Sequence, residues 1–246
     1  MGKVLVMARR ELAAYFFSPL AYVVGALFLA TCGAVFFWGL PLLGIQRVFA
    51  PGSEASLRAL FEAVAYLMIV VIPLLTMRLL SEEFRSGTVE LLSTAPITET
   101  QIVLGKFFGV LACYVVLLAT TAVFFALMLA FGRPDLGVVA SGYVGLLLLG
   151  SAFLAVGIYA WPVTRYQLLA ALMAIAILGG FGLLTAGLTL LAPPPLNFLG
   201  ARLNMMRWFD EFSRGVIDTR GAVYFLSVAA GFLFLSVKTL ESRRWR

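Results

Sequence analysis

Six long apolar segments make up most of this 246-residue chain. A helix needs about 20 predominantly apolar residues to cross a bilayer, because each residue adds about 1.5 Å of rise and the hydrocarbon core is about 30 Å thick. The polar sequence left between the segments is too short to fold as a separate soluble domain. We therefore predict an all-α polytopic membrane protein in which residues 1–246 form one transmembrane domain. The six spans are expected at residues 20–43, 59–80, 107–131, 138–160, 168–192 and 221–240.

The composition agrees with a membrane protein and excludes several kinds of chemistry. The chain is 62% hydrophobic and 12% charged, with a mean hydropathy of +1.03, whereas soluble domains are about 25% charged. It contains no histidine, which excludes histidine proton relays, histidine metal sites and Ser-His hydrolysis. Gly105 and Lys106 are followed by Phe107 and lack the upstream glycine of a phosphate-binding loop. We expect no catalytic residue, no metal site and no cofactor on this chain itself.

The distribution of basic residues predicts the orientation of the chain in the membrane. Of the 18 lysines and arginines, 11 fall on the side that holds both termini and seven on the other side. Cytoplasmic segments of membrane proteins carry the excess of lysine and arginine, so both termini are expected in the cytoplasm. The net charge of +6 is then expected to meet the anionic lipid of the inner leaflet. No basic cluster resembles a nucleic-acid footprint, so a nucleic-acid partner is not expected.

Residues 1–18 are expected to form a helix that lies in the cytoplasmic membrane interface. At 100° per residue, one side is apolar and the other carries Lys3, Arg10 and Glu11. Ser18 and Pro19 should end this helix and begin the first span, since proline is tolerated in a first turn. The alternative is a simple extension of the first span, which the charges disfavour. The apolar side would hold Val4, Leu5, Ala8, Leu12, Tyr15 and Phe16.

Residues 193–220, on the predicted outer side, contain a second amphipathic stretch. Two arrangements fit this pattern equally well. One is a helix in the outer interface with Trp208 at headgroup depth, and the other is a lid packed against the spans. The apolar side would hold Met205, Trp208, Phe209, Phe212 and Val216, and the polar side Arg207, Asp210, Glu211 and Arg214.

The connection between spans two and three is the most informative polar segment. Pro96 should interrupt a short helical piece at residues 88–94. Thr98, with Gln101 three residues later, forms a capping box that should begin a helix leading into span three. Acidic residues in the cytoplasm do not set orientation, so their number favours a docking surface for a soluble partner over a solvated connector. The segment carries four such residues: Glu82, Glu83, Glu90 and Glu99.

A broader pattern of residues extends through this connection. It consists of Arg78, Glu83, Arg85, Gly87, Thr88, Glu90, Leu92, Pro96, Gly105 and Lys106. This pattern resembles the signature that follows the second span in ATP-binding-cassette (ABC) type 2 exporter permeases. Residues 10–22, 212–225 and 240–245 resemble the subgroup related to gliding-motility and nitrous-oxide-reductase-maturation permeases. The chain departs from the family before Thr164, where Trp161 and Pro162 replace small residues.

The resemblance implies a fold of six transmembrane helices with a connecting helix at residues 1–18 and an outer re-entrant segment at residues 193–220. It also implies that residues 81–105 contain a coupling helix that sits in a groove of a separate ABC ATP-binding subunit. ATP and Mg would be bound by that subunit, and the permease would pair with a second copy or a homologous permease. Closure of the two ATPases would switch a cavity between inward and outward openings. The coupling residues would be Glu82, Glu83, Arg85, Gly87, Thr88, Glu90 and Pro96.

The implied activity is export across the bacterial cytoplasmic membrane, and few residues are candidates for a translocation path. Glu62 is the one acid within a predicted span, and it is either a functional intramembrane carboxylate or a solvated group near a helix end. Gly179, Gly180 and Gly182 give span five a capacity for close helix approach or hinge motion. With so little buried charge, an apolar or amphipathic substrate fits better than an ion.

Other classes of function are also consistent with parts of the sequence. A non-transporting membrane subunit would use the same ATPase partner for assembly or mechanical work on an envelope or motility complex. An ion-coupled carrier would need no ATPase partner. An intramembrane enzyme is disfavoured because histidine and metal motifs are missing.

Overall fold

The structure is a computed structural model that describes residues 2–39, 48, 56–79, 98–131, 134–164, 166–193 and 196–244. Over these ranges the secondary structure consists of helices and short turns, with no strand. Six spans in the same ranges are long and apolar enough to cross a membrane. The predicted all-α polytopic fold with six transmembrane helices is therefore confirmed.

The helices pack as a bundle whose spans are α2, α3, the pair α4 and α5, α6, α7 and α10. A turn at Thr121 separates α4 from α5 within one span. The bounds are α1 (Gly2–Phe16), α2 (Pro19–Trp38), α3 (Arg58–Thr76), α4 (Glu99–Thr120), α5 (Ala122–Phe131), α6 (Leu136–Val163), α7 (Gln167–Leu191), α8 (Leu196–Leu203), α9 (Met205–Ser213) and α10 (Thr219–Arg244).

The first span is shorter than its hydropathy suggests. We expected it to run to residue 43, but α2 ends at Trp38. Gly39 follows with a φ of 75°, a left-handed conformation that favours glycine, and its N–H donates to the carbonyl of Val35 at 2.9 Å. Hydropathy does not detect this end because it measures side-chain transfer and not backbone conformation.

The break between α1 and α2 is confirmed. Ser18 has an extended backbone, its hydroxyl accepts the N–H of Leu20 at 3.2 Å, and Pro19 is the first residue of α2. The assignment of Glu11 to the water-facing side of α1 was wrong. Glu11 is only 6% exposed, because α1 packs along α4 and the carboxylate meets a buried lysine there.

The centre of the bundle is α6, which contacts α3, α4, α7, α9 and α10. Close packing on α6 depends on glycines that the sequence patterns did not single out. A Cβ at Gly150 would overlap the ring of Tyr114, and a Cβ at Gly145 would lie 2.6 Å from the Cβ of Phe212. The Tyr114 hydroxyl donates to the carbonyl of Leu146 at 2.6 Å, so its polar atom is satisfied inside the bundle.

The two short helices α8 and α9, which we call the lid, pack against the spans. α8 lies along the end of α7, where a Cβ at Gly200 would be 2.8 Å from the backbone nitrogen of Thr189. Phe209 and Phe212 of α9 are buried against α6 and α3. This is the second of the two expected arrangements. Val216 does not continue the apolar side of α9, because α9 ends at Ser213 and the chain turns at Gly215 (φ 92°), and the Val216 side chain is 57% exposed.

Candidate functional site

The candidate site is the end of the bundle where α1 begins, α3 ends, α4 begins and α10 ends, which we call the N-terminal end. In the sequence, the connection between α3 and α4 links two of these helix ends. Its residues 80–97 lie outside the described residues, whereas Leu79 and Thr98 on either side are described. Those that lie outside include every predicted coupling residue: Glu82, Glu83, Arg85, Gly87, Thr88, Glu90 and Pro96.

The start of α4 has the predicted capping box. The Thr98 hydroxyl accepts the N–H of Gln101 at 3.4 Å, and the Gln101 side-chain oxygen accepts the N–H of Thr98 at 3.5 Å. These two bonds satisfy backbone donors that a helix start leaves without intrahelical partners. The connection therefore joins α4 at a fixed point, two turns before Lys106.

A buried ion pair links α1 to α4 just beyond this point. The ammonium of Lys106 lies 3.5 Å from a carboxylate oxygen of Glu11, and the two side chains are 1% and 8% exposed. The ammonium also lies 4.9 Å from the centre of the Trp161 ring on α6, a geometry suited to a cation–π contact. The pair neutralises two charges that would each be strongly unfavourable alone in this environment. Three helices therefore meet at one lysine.

Two glycines allow α1 and α4 to come close enough for this pair to form. A Cβ at Gly105 would lie 2.8 Å from the Cβ of Met7, and a Cβ at Gly109 would lie 2.6 Å from the Cβ of Glu11. Gly105 and Gly109 are one helical turn apart, so they line the same face of α4. The result is a tight crossing in which the stem of Glu11 rests on Gly109.

The other end of the connection is held by the second half of α1. The Arg78 guanidinium donates to the carbonyl of Ala14 and stacks 5.0 Å from the centre of the Tyr15 ring. The Tyr15 hydroxyl donates to the carbonyl of Leu75 near the end of α3, at 2.7 Å. α1 thus contacts the chain both immediately before and shortly after residues 80–97. Sequence patterns had marked Arg78 and Lys106 but could not show that both bind α1.

Glu62 lies at the opposite end of the bundle, which holds the lid. It is one turn from the start of α3, with its carboxylate 2.8 Å from the Nε of Arg58. Arg58 also reaches Asp210 of α9 at 2.8 Å, and Asp210 pairs with Arg214 at 2.5 Å. The Glu62 side chain is 32% exposed. The Glu62 carboxylate is therefore paired near a helix end, and both alternatives for its role stay predictions.

The predicted glycines of span five have no close neighbours within the described chain. A Cβ at Gly179, Gly180 or Gly182 would meet no described atom within 4 Å. Within the described part of a single chain, these three glycines therefore do not form the close helix contacts that were expected of them. The described residues also contain no group of three or more cysteines or acids placed to hold a metal ion.

Comparison with known proteins identifies the family to which this chain belongs. Residues 20–178 match the family described as ABC-2 family transporter protein, and this match covers more than half of the chain. No match was found among curated proteins. The matched region runs from the first span into the fifth and includes the α3–α4 connection and Lys106. The chain thus belongs to the ABC-2 family of transporter proteins and is a multi-pass membrane permease subunit of an ABC transporter.

Proposed function

We propose that this chain is the transmembrane subunit of a bacterial ABC exporter that is driven by a separate ATP-binding subunit. The observation that carries this proposal is the position of α1, which contacts Arg78 before the connection and Lys106 after it. A partner that displaces residues 80–97 would therefore move three elements together: α1, the end of α3 and the start of α4. Residues 81–105 would form the coupling region.

The contacts at this end are suited to transmit such a displacement. At the crossing, Gly109 of α4 lies so close to Glu11 of α1 that not even a Cβ would fit between them. The Glu11–Lys106 pair cannot separate inside the bundle without exposing two charges to an apolar environment. α1 and α4 should therefore move as one body. The contact of Lys106 with Trp161 extends this body to α6, the central helix. Discrete rearrangement of packed helices is how small movements at one site reach another.

The partner and orientation follow from the same proposal. Glu82, Glu83 and Glu90 would present carboxylates to basic residues of the ATP-binding subunit, which would also bind ATP and Mg. The N-terminal end would then face the cytoplasm, in agreement with the basic residues on that side and with residence in the cytoplasmic membrane. We also assign the permease to the subgroup related to gliding-motility and nitrous-oxide-reductase-maturation permeases, because both ends of the chain resemble that subgroup.

A second permease copy, or a homologous permease, would complete the assembly. The glycine-rich face of α7 supports this proposal, because a Cβ at Gly179 or Gly180 would meet no side chain of the described residues within 4 Å. Small residues allow close approach of helices in membranes, where packing drives association. Two permeases would present two coupling regions to two ATP-binding subunits.

Co-purification tests this function. The tagged full chain should retain an ATP-binding-cassette protein from a gently solubilised membrane, and the complex should hydrolyse ATP in a vanadate-sensitive reaction. A permease whose residues 82–90 are replaced by a glycine–serine linker of equal length should insert normally but lose the ATPase. Isolation of a folded permease that never retains an ATPase would exclude the proposal. Retention of the ATPase with hydrolysis that moves no substrate would favour mechanical work on an envelope complex instead.

A further inference from the structure

A groove of about 250 Å³ lies between the start of α4 and the end of α10, away from the contacts of α1. It is smaller than the roughly 300–1,000 Å³ of pockets that enclose a drug-sized ligand, so it suits part of a longer molecule. Its walls are formed by Thr100, Val103 and Leu104 on α4 and by Leu233, Phe234, Val237, Lys238 and Glu241 on α10.

The polar and apolar residues of the groove are separated along its length. Thr100, Lys238 and Glu241 lie nearest the N-terminal end of the bundle, where α4 begins and α10 ends. Leu104 and Leu233 lie deeper along the same two helices. At about 1.5 Å per residue, the lining of α10 extends about 12 Å along its axis. A polar entrance that leads into an apolar channel is complementary to an amphiphile aligned with the membrane normal.

The two charges at the entrance define the headgroup that fits. The Lys238 ammonium lies 2.8 Å from a carboxylate oxygen of Glu241 and 5.8 Å from the centre of the Phe234 ring. The two side chains are 56% and 38% exposed, and exposed pairs of this kind exchange readily for other partners. A purely anionic headgroup would bind Lys238 but meet repulsion from Glu241. A quaternary amine offers Glu241 no N–H donor.

We propose that this groove binds a phospholipid whose headgroup carries both a phosphate and a primary amine. Lys238 and Thr100 would donate to the phosphate, and Glu241 would accept from the amine. One acyl chain would lie on Phe234 and Leu104, covering apolar surface between α4 and α10. Because the proposed coupling region, residues 81–105, includes the first turns of α4, the bound lipid would brace that helix start on the side opposite the support that α1 provides.

The test measures lipid retention by the full chain in detergent, using native mass spectrometry and three lipids with identical acyl chains. We expect phosphatidylethanolamine to be retained roughly fivefold more than phosphatidylcholine or phosphatidylglycerol, the factor available from exposed ionic contacts. Lys238→Gln and Glu241→Gln should each reduce this preference. Arg220→Gln, which removes a charge at the other end of α10, should leave it unchanged. Leu104→Trp, which fills the groove, should reduce retention of all three lipids.

Three outcomes would overturn the proposal. The first is equal retention of the three lipids by the wild-type chain. The second is a preference for phosphatidylglycerol that only Lys238→Gln removes, which would indicate a simple anionic site. The third is disulfide-linked dimers of a Phe234→Cys variant in membranes, which would mean that a second copy occupies the groove. Elution of each variant as a single peak on size-exclusion chromatography separates these results from misfolding.

Discussion

The ammonium of Lys106 lies 3.5 Å from the carboxylate of Glu11, although 95 positions separate the two residues in the sequence. Both side chains are buried, and the pair lies at the crossing of α1 and α4, where Lys106 directly follows the proposed coupling region at residues 81–105. This pair connects the N-terminal helix to the part of the permease that we expect the ATPase to move.

Removing one member of this pair should destabilise the protein strongly. Glu11→Gln removes the carboxylate that lies 3.5 Å from a buried ammonium, and breaking a buried pair in this way costs about 3–5 kcal/mol. The double variant Glu11→Leu with Lys106→Met should recover most of the loss, because apolar residues of similar size often replace a buried pair at little cost. Thermal unfolding in detergent measures both effects. Arg9→Gln on the exposed side of α1 is the control and should change little.

If Glu11→Gln unfolds at the wild-type temperature, the two charges are not desolvated as the structure indicates. If the double variant unfolds at the same temperature as the single one, the stability of this crossing depends on the shape of the two side chains and not on their charge.

The packing of α1 on α4 should be sensitive to one methyl group at Gly109. A Cβ there would lie 2.6 Å from the Cβ of Glu11 and 3.1 Å from the carbonyl oxygen of Ala8. Gly109→Ala should therefore destabilise by about 1–3 kcal/mol, the usual cost of overpacking. Gly231→Ala on α10 is the matched control, because a Cβ at that helical position meets no described atom within 4 Å outside the neighbouring backbone of its own helix. Equal unfolding temperatures for these two variants would contradict the close crossing.

The lid should loosen slightly when its link to α3 is removed. Arg58 bonds Asp210 at 2.8 Å, but the two side chains are 42% and 33% exposed, so the pair contributes only about 0.2–1 kcal/mol. In an Arg58→Gln background, a cysteine at Phe209 should react with an impermeant thiol reagent at most about fivefold faster. Arg207→Gln, on the exposed side of α9, should have no such effect. Fast labelling of position 209 before any change at Arg58 would show that the lid does not pack as described.

Both termini should lie on the cytoplasmic side. Reporter fusions at Arg246 and at Gly52 should report opposite sides of the membrane, because the last five of the six spans lie between these two positions. Placement of Gly52 in the cytoplasm would reverse the proposed orientation and move the coupling region away from any cytoplasmic ATPase.

The sequence predicted those helix starts and breaks that depend on residues close together in the chain. The capping box of Thr98 and Gln101 and the break at Ser18-Pro19 each depend on bonds between residues a few positions apart, so the sequence alone was sufficient. The burial of Glu11 was not predictable in this way. Its partner Lys106 is distant in sequence, and a charged residue on an amphipathic helix normally faces water.

The glycines also show that contacts between residues distant in the sequence were harder to predict than local features. The sequence drew attention to the dense glycines of span five, including Gly180 and Gly182, whereas tight contacts within the described chain occur at other glycines, among them Gly109 and Gly150. Glycine content indicates that another helix can approach closely, but the contact forms only where a side chain of that helix lies opposite the glycine. At Gly150 that side chain is Tyr114, which no local pattern pairs with it.

If ATP hydrolysis is coupled to the permease through residues 81–105, the complete complex should show that coupling after reconstitution. The measurement is the rate of ATP hydrolysis by the partner subunit with and without the permease in lipid nanodiscs. Glu90→Ala and Gly87→Val should insert normally and abolish the difference between these rates. Loss of one member of a desolvated interfacial charge pair costs about 2–5 kcal/mol of binding. Wild-type coupling in both variants would show that this segment only connects two spans.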